Sequence, residues 1–147
     1  GANAMTMRLS TRQLAARATA AAAASLADLQ TGPNVPEVRI YTAPRPASVA
    51  AGPGSATLLV AVPLADPAGT VDGPDLLLTQ AADALITATG DPDWALLVDG
   101  NGQPCADLSA GPAPTDPADP VPDIVINQPT LYAGGYLRLA PLVISNV

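Results

Sequence analysis

The chain has 147 residues, a net charge of −7, an apolar content of 48%, and neither Phe nor His. This length predicts one domain with one core, and the lack of histidine excludes every catalytic triad and metal site that needs an imidazole. The acidic balance argues against a nucleic-acid partner, because phosphate binding requires a basic face. Pro and Gly number 17 and 12, so we expect many turns.

The first predicted element is an Ala-rich helix. Ser10 and Gln13 have the spacing of a capping box, in which the two side chains satisfy backbone donors at the helix start. Gly32 and Pro33 supply the stop, so the helix is predicted over roughly residues 11–30. Its apolar stripe is narrow and consists mostly of methyl groups.

The start of the chain is basic, whereas the remainder, which we call the body, is acidic. Residues 1–17 contain Arg8, Arg12 and Arg17 and no acid, whereas residues 18–147 contain three arginines against thirteen acids, a net charge of −10. The helix macrodipole disfavours cations in the first half of a helix, so helix stability does not explain these arginines. They are therefore either contacts to an acidic partner or members of a solvent-exposed helix face.

After the helix, the hydrophobic period changes from about 3.6 to 2, which indicates strands. The predicted strands span 37–42, 56–64, 75–79, 84–89, 94–98, 103–108, 123–127 and 131–145. Turn residues lie between them, with turns predicted at residues 66–69 and, most strongly, at the Asp-Gly-Asn-Gly hairpin signal at 99–102. Pro63 favours a strand edge or end. The pattern predicts a mainly β fold, an antiparallel β-sandwich or jelly roll of about seven or eight strands with one N-terminal helix.

We divide the chain into three parts. Residues 1–7 are expected to be a tag or a disordered start, residues 8–32 the N-terminal helix, and residues 33–147 the β-sandwich domain. We expect no membrane insertion, because the longest uncharged window, 46–65, is broken by Gly-Pro-Gly at 52–54.

A search for reactive groups predicts no enzyme and no cofactor. Cys105 has no basic neighbour that would lower its pKa, and its place in a predicted strand favours a small buried thiol. The segment that starts at Asp99 resembles half of an EF-hand loop, but Pro104 replaces the required glycine and Ala110 the required glutamate. A looser calcium site that uses Asp116, Asp119 or Asp123 stays open, beside the simpler explanation that these acids are turn and solubility residues.

One string resembles a known group of proteins. Residues 38–46, Val-Arg-Ile-Tyr-Thr-Ala-Pro-Arg-Pro, follow an Ala-rich helix, and the string resembles a strand of small uncharacterised proteins encoded in the structural modules of tailed bacteriophages and prophages. Residues 88–94, 98–102 and 132–135 resemble later motifs of that group. The chain departs from the pattern at residues 95–97, Ala-Leu-Leu, where an aromatic residue and an arginine usually follow the tryptophan.

The resemblance implies a virion structural protein that acts by assembly, as a capsid decoration, neck or tail component. Its partners would be other virion proteins or itself as a homo-oligomer, in the virion or in the host cytoplasm before assembly. The predicted partner contacts are charged and aromatic residues: Arg8, Arg12, Arg17, Arg39, Tyr41, Arg45, Tyr132 and Tyr136.

A carbohydrate-binding or adhesion β-sandwich module is the alternative function, since such folds often carry ligand sites in their loops. Its candidate residues are Trp94, Tyr132, Tyr136 and the loop aspartates. Each aromatic also has a simpler explanation. Trp94 shares a predicted strand face with Leu96 and Val98, which favours a place in the core, and the two tyrosines flank a Gly-Gly pair that predicts a strand bend.

Overall fold

One helix and nine strands make up the regular structure of residues 8–145, the part of the chain that the computed structural model describes. The tag or start predicted at 1–7 lies outside these residues. Helix α1 spans Thr11–Leu29, close to the prediction. The strands are β1 Glu37–Tyr41, β2 Leu58–Asp72, β3 Asp75–Gln80, β4 Ala84–Leu85, β5 Trp94–Val98, β6 Pro104–Gly111, β7 Ile124–Val125, β8 Tyr136–Leu137 and β9 Leu142–Ser145, with a 3₁₀ turn at Val49–Ala51.

Seven strands form one sheet in the order β7-β6-β5-β1-β2-β3-β9, and β4 pairs with β8 in a separate two-stranded sheet. The prediction of a mainly β fold with one N-terminal helix is therefore confirmed. The strand number is higher than expected within the described residues, because the last predicted strand is divided into β8 and β9. One pair, β6 and β7, is parallel rather than antiparallel. The loop after β6 doubles back beside Ser109 before β7 begins.

Strand β2 belongs to both halves of the large sheet. Its first half pairs with β1 and its second half with β3, and the register shifts between Leu64 and Gly69. Pro67 lacks the N–H that a regular ladder needs, and a Cβ on Gly69 would collide with the carbonyl oxygen of Leu77. The turn predicted here is therefore a bulge inside one strand of 15 residues. Pro63, predicted to mark an edge or end, lies in a central strand.

The shift in β2 separates two halves of the sheet whose ends approach each other. Leu76 of β3 and Ile144 of β9 line a cavity under Leu29 of α1. Leu97 of β5 and Cys105 of β6 line the same cavity. At the outer edges of the sheet, β7 and β9 both contribute to one groove. The sheet therefore comes close to closing on itself as a barrel.

The core is aliphatic, as the composition requires. Ala22 and Leu29 of α1 are buried against the inner face of the sheet, where β1 contributes Val38 and Ile40. Full burial of one Val, Leu or Ile side chain contributes about 1.5–3 kcal/mol. Among the described residues no polar or charged residue is buried. A second, smaller cluster comprises Tyr41, Trp94, Leu96 and Val98, so the shared face predicted for the residues of β5 is confirmed.

Helix α1 is attached to the sheet through a contact between two backbones. Gly32 has a φ of 108° and lies against the peptide that joins Gly100 to Asn101 in the turn between β5 and β6. A Cβ on Gly32 would collide with that peptide. A Cβ on Gly100 would collide with the carbonyl oxygens of Thr31 and Asn34. The two glycines therefore fix where the helix meets the sheet.

Candidate interaction surface

The first half of α1 has no side chain packed in the core. The N-cap is formed as predicted, since the backbone N–H of Gln13 donates a hydrogen bond to Ser10 Oγ at 3.1 Å. From Thr11 to Ala21 no side chain is buried, and Leu14 is 55% exposed. We call residues 8–21 the arm. At 1.5 Å per residue its helical part is about 16 Å long.

The arm carries cations that have no partner within the described residues. Arg8, Arg12 and Arg17 are exposed and form no ion pair there. No acid lies in the first turn of α1 to offset them. These three arginines were predicted as partner contacts, and the structure leaves them accessible.

The arginines of the body are each paired with a carboxylate. Arg39 lies 3.1 Å from Glu37, and Arg138 lies 2.6 Å from Asp83. Arg45 donates to Asp107 Oδ1 at 2.6 Å, which joins the loop after β1 to β6. Arg39 and Arg45, both predicted partner contacts, are therefore engaged within the chain, although each side chain remains about one third or more exposed.

Tyr41 is not a surface contact, and this prediction is wrong. It is 6% exposed and stacks on Trp94 with ring centroids 4.7 Å apart. The two residues are cross-strand partners on β1 and β5, and Val49 and Ala56 from the following segment pack on them. Trp94 is fully buried, and its indole N–H donates to the carbonyl oxygen of Thr42 at 2.9 Å. Trp94 therefore presents no ring face to a sugar.

Tyr132 and Tyr136 are exposed, as a contact role requires. Their exposed fractions are 64% and 69%. Gly134 between them has a φ of 93°, and the N–H of Gly135 closes a turn onto the carbonyl oxygen of Tyr132 at 3.1 Å. Leu85, 50% exposed, is the register partner of Tyr136 on β4. The predicted bend is present, and both of its tyrosines are exposed.

A groove between the two outer strands of the large sheet was not predicted. It is lined by residues 123–125 on one side and 139–143 on the other, and we call it the seam groove. Val125 is 39% exposed and Val143 is 60% exposed. Among the described residues, β7 and β9 each pair with a single neighbour, so one edge of each strand has no strand partner there. Among the described residues that line the groove, Asp123 is the charged one.

Three loop aspartates accept hydrogen bonds from backbone N–H groups. Asp123 Oδ2 accepts from the N–H of Ser109 at 3.0 Å, and Asp116 Oδ1 accepts from the N–H of Ala118 at 2.9 Å. Asp99 Oδ1 accepts from two N–H groups of the predicted hairpin turn. Within residues 8–145, no group of three acidic, His or Cys side chains could hold a metal ion.

Cys105 is half-buried, and its surroundings oppose ionisation. Burial raises the pKa of the Cys105 thiol, and the carboxylates of Asp28 and Asp99 raise it further. A thiol with a raised pKa is a poor nucleophile at neutral pH, because the thiolate is the reactive form.

Searches with the chain against protein-family models, curated protein sequences and solved structures found no match. No helix in the described part of the chain has both the length and the apolar character needed to cross a bilayer. The accessible surfaces described above are the arm, the exposed tyrosines and the seam groove.

Proposed function

We propose that this chain is a structural protein of a tailed bacteriophage or prophage particle, a capsid decoration, neck or tail component that acts by protein–protein assembly. The arm is the observation that carries the assembly role. Most helical stability in proteins comes from packing of an apolar face, and short isolated helices are marginal in water. The arm has an exposed Leu14 and exposed methyl groups, and none of its side chains is buried. A partner protein would supply the apolar surface against which this face could pack.

The phage component of this proposal is supported by the resemblance of residues 38–46. In the structure these residues form most of β1 and the segment that holds it in place. Thr42 Oγ1 accepts from the N–H of Thr57 at 2.9 Å, and Arg45 reaches Asp107 on β6. Residues 38–46 therefore help to hold neighbouring strands together. A motif that is shared for structural reasons would have such a role.

We further propose that the two halves of the curved sheet face each other like the two layers of a β-sandwich. The support is that Leu76 and Leu97, from opposite halves of the sheet, line one cavity beneath α1. We also propose that the chain is not an enzyme. The absence of histidine and the raised pKa of Cys105 support this, because neither an imidazole base nor an activated thiol is then available.

Purified particles test the proposed function directly. Particles from an induced lysogen or a phage lysate that encodes this chain would be purified on a density gradient and analysed by quantitative mass spectrometry. We expect the chain to co-sediment with capsid or tail proteins at a fixed copy number per particle. Its absence from intact particles, with the chain detected in the lysate, would overturn the virion assignment.

A carbohydrate-binding or adhesion module is the second candidate, because Tyr132 and Tyr136 are exposed and Tyr136 is the register partner of the exposed Leu85. Aromatic side chains with a free face are common sugar platforms. A glycan array with the full chain tests this candidate, and the double variant Y132A/Y136A is the matched control. Binding that the double variant loses would support it, and no binding to any glycan would remove it.

A further inference from the structure

The unpaired charges of this chain are separated in space by sign. Three ion pairs within the described residues use the three arginines of the body, which leaves the arm as the place where arginines lack acidic partners. The same pairs use Glu37, Asp83 and Asp107, so the other ten acids of the body have no cationic partner there. A basic arm on one copy is therefore complementary to the acidic body of another.

The same charges argue against pairing of two arms. A helix–helix contact between two arms would bring Arg12 and Arg17 of both copies together without an acid on either arm. Like charges at close range destabilise a contact and select against it. The complementary contact is arm to body, in which the two copies use different surfaces.

The seam groove is the part of the body best suited to receive the arm. Val125 and Val143 offer exposed apolar surface, and Asp123 is the charged residue that lines the groove. The groove beside β1 and the β5–β6 turn has a mostly polar lining, and its Arg39 and Glu37 are already paired with each other, so it offers less apolar surface to the methyl face of the arm. The outer edges of β7 and β9 also need protection from unspecific strand pairing, and covering such edges with a helix is one way in which proteins provide it.

We propose that the arm of one copy seats in the seam groove of a second copy of this chain. Leu14 and the methyl face of the arm would cover Val125 and Val143, and the arm arginines would face Asp123 and the acidic loop that precedes it. Such a contact is heterologous, so repeated copies form a closed ring or an open filament. This inference rests on the proposed assembly function and names its partner surface.

Sedimentation velocity of the full chain over a concentration series tests the contact. We expect concentration-dependent association that weakens between about 20 mM and 500 mM salt, since exposed charges are screened at high ionic strength. The variant R12E/R17E reverses the charge of the arm, and R12K/R17K is the matched control that keeps this charge. The concentration for half-association should rise on the order of tenfold or more in the first and change little in the second.

The variant V125R/V143R tests the groove, because it places cations where the arm would bind. Alone it should stay monomeric, and mixed with R12E/R17E it should regain association, since a reversed arm then meets a reversed groove. Circular dichroism of each variant confirms that it is folded.

A wild-type chain that is monomeric at all concentrations and salts would overturn the proposal, as would unchanged association of either reversed variant. If a reversed variant does not fold, the salt dependence of the wild type decides, and salt-independent association would count against the proposal. Finding the chain in purified particles would still support the proposed function after any of these failures, so the two outcomes can be told apart.

Discussion

Both halves of α1 are rich in alanine, but they lie in different environments. In the second half, Ala22 and Leu29 are buried against the sheet, and Gln30 just after the helix accepts a hydrogen bond from the N–H of Ala68 at 2.8 Å. In the first half, Leu14 and the alanines around it are exposed. Helix-forming residues therefore specify the helix but not its packing, which depends on how far the sheet extends beneath it.

The largest expected contrast between the two halves comes from removing one leucine in each. Leu29→Ala should lower the free energy of unfolding by about 2–5 kcal/mol, because it leaves a cavity in the core. Leu14→Ala should change it by no more than about 0.5 kcal/mol in the monomer. Urea denaturation at low protein concentration measures both, and equal losses would contradict the difference in packing.

Adding volume should also separate the halves. Ala22→Leu forces a larger side chain into a fully buried site, so we expect a loss of about 1–3 kcal/mol. Ala15→Leu, the matched change on the exposed arm, should be within about 0.5 kcal/mol of the wild type. The same denaturation experiment gives both values. A substantial loss from Ala15→Leu would show that the arm is packed.

The N-cap tests whether the arm melts independently. Ser10→Ala removes a cap worth about 1 kcal/mol of helix stability. Because the arm is not packed on the body, we expect faster amide hydrogen exchange over residues 11–21 and little change over 22–29. Ser25→Ala, an exposed change in the packed half that removes no cap, is the control and should not accelerate exchange in either half, because Ala favours the helix more than Ser does. Equal acceleration along the whole helix would contradict independent melting.

The smallest expected effect concerns Cys105, which lines the cavity under the packed half of α1. Its pKa is raised above 9.0 in the folded state, mainly by burial and then by the Asp28 carboxylate, so the folded thiol ionises later than the unfolded one. The contribution of this thiol to stability is therefore complete below pH 9 and lost as the pH rises through the folded-state pKa.

The rate of thiol labelling reports how readily the Cys105 thiol ionises in the folded protein. Cys105 should react with a disulfide reagent at pH 8 more slowly than the arm cysteine of the variant C105S/A15C, because less of it is thiolate and its site is half-buried. Asp28→Asn should speed the labelling of Cys105 by removing one cause of the raised pKa. Equal rates at the two positions would contradict the assigned environment.

Local signals in the sequence account for the elements that were predicted well. The Ser10 cap and Gly32 set the ends of α1, and the Asp-Gly turn after β5 set the hairpin. The basic charge of the arm is visible in the sequence alone, because residues 1–17 contain three arginines and no acid. These signals depend only on neighbours within a few residues.

The remaining features depend on residues that are distant in the chain. The bulge in β2 follows from how β3 approaches Gly69, and the burial of Tyr41 follows from its partner Trp94, 53 positions later in the sequence. The seam groove exists only once β7 and β9 are brought together by the curvature of the sheet. Exposed valines at positions 125 and 143 give no local pattern that distinguishes them from core residues.

The close contact between Gly32 and Gly100 acts as a pivot at the C-terminal end of α1. The helix and its cap extend about 30 Å from this pivot, so a rotation of roughly 10° at the glycines would displace the tip by about 5 Å. That displacement is comparable to one turn of helix. The direction of the arm therefore depends on a contact at the opposite end of the helix, where Gly32 meets the turn between β5 and β6.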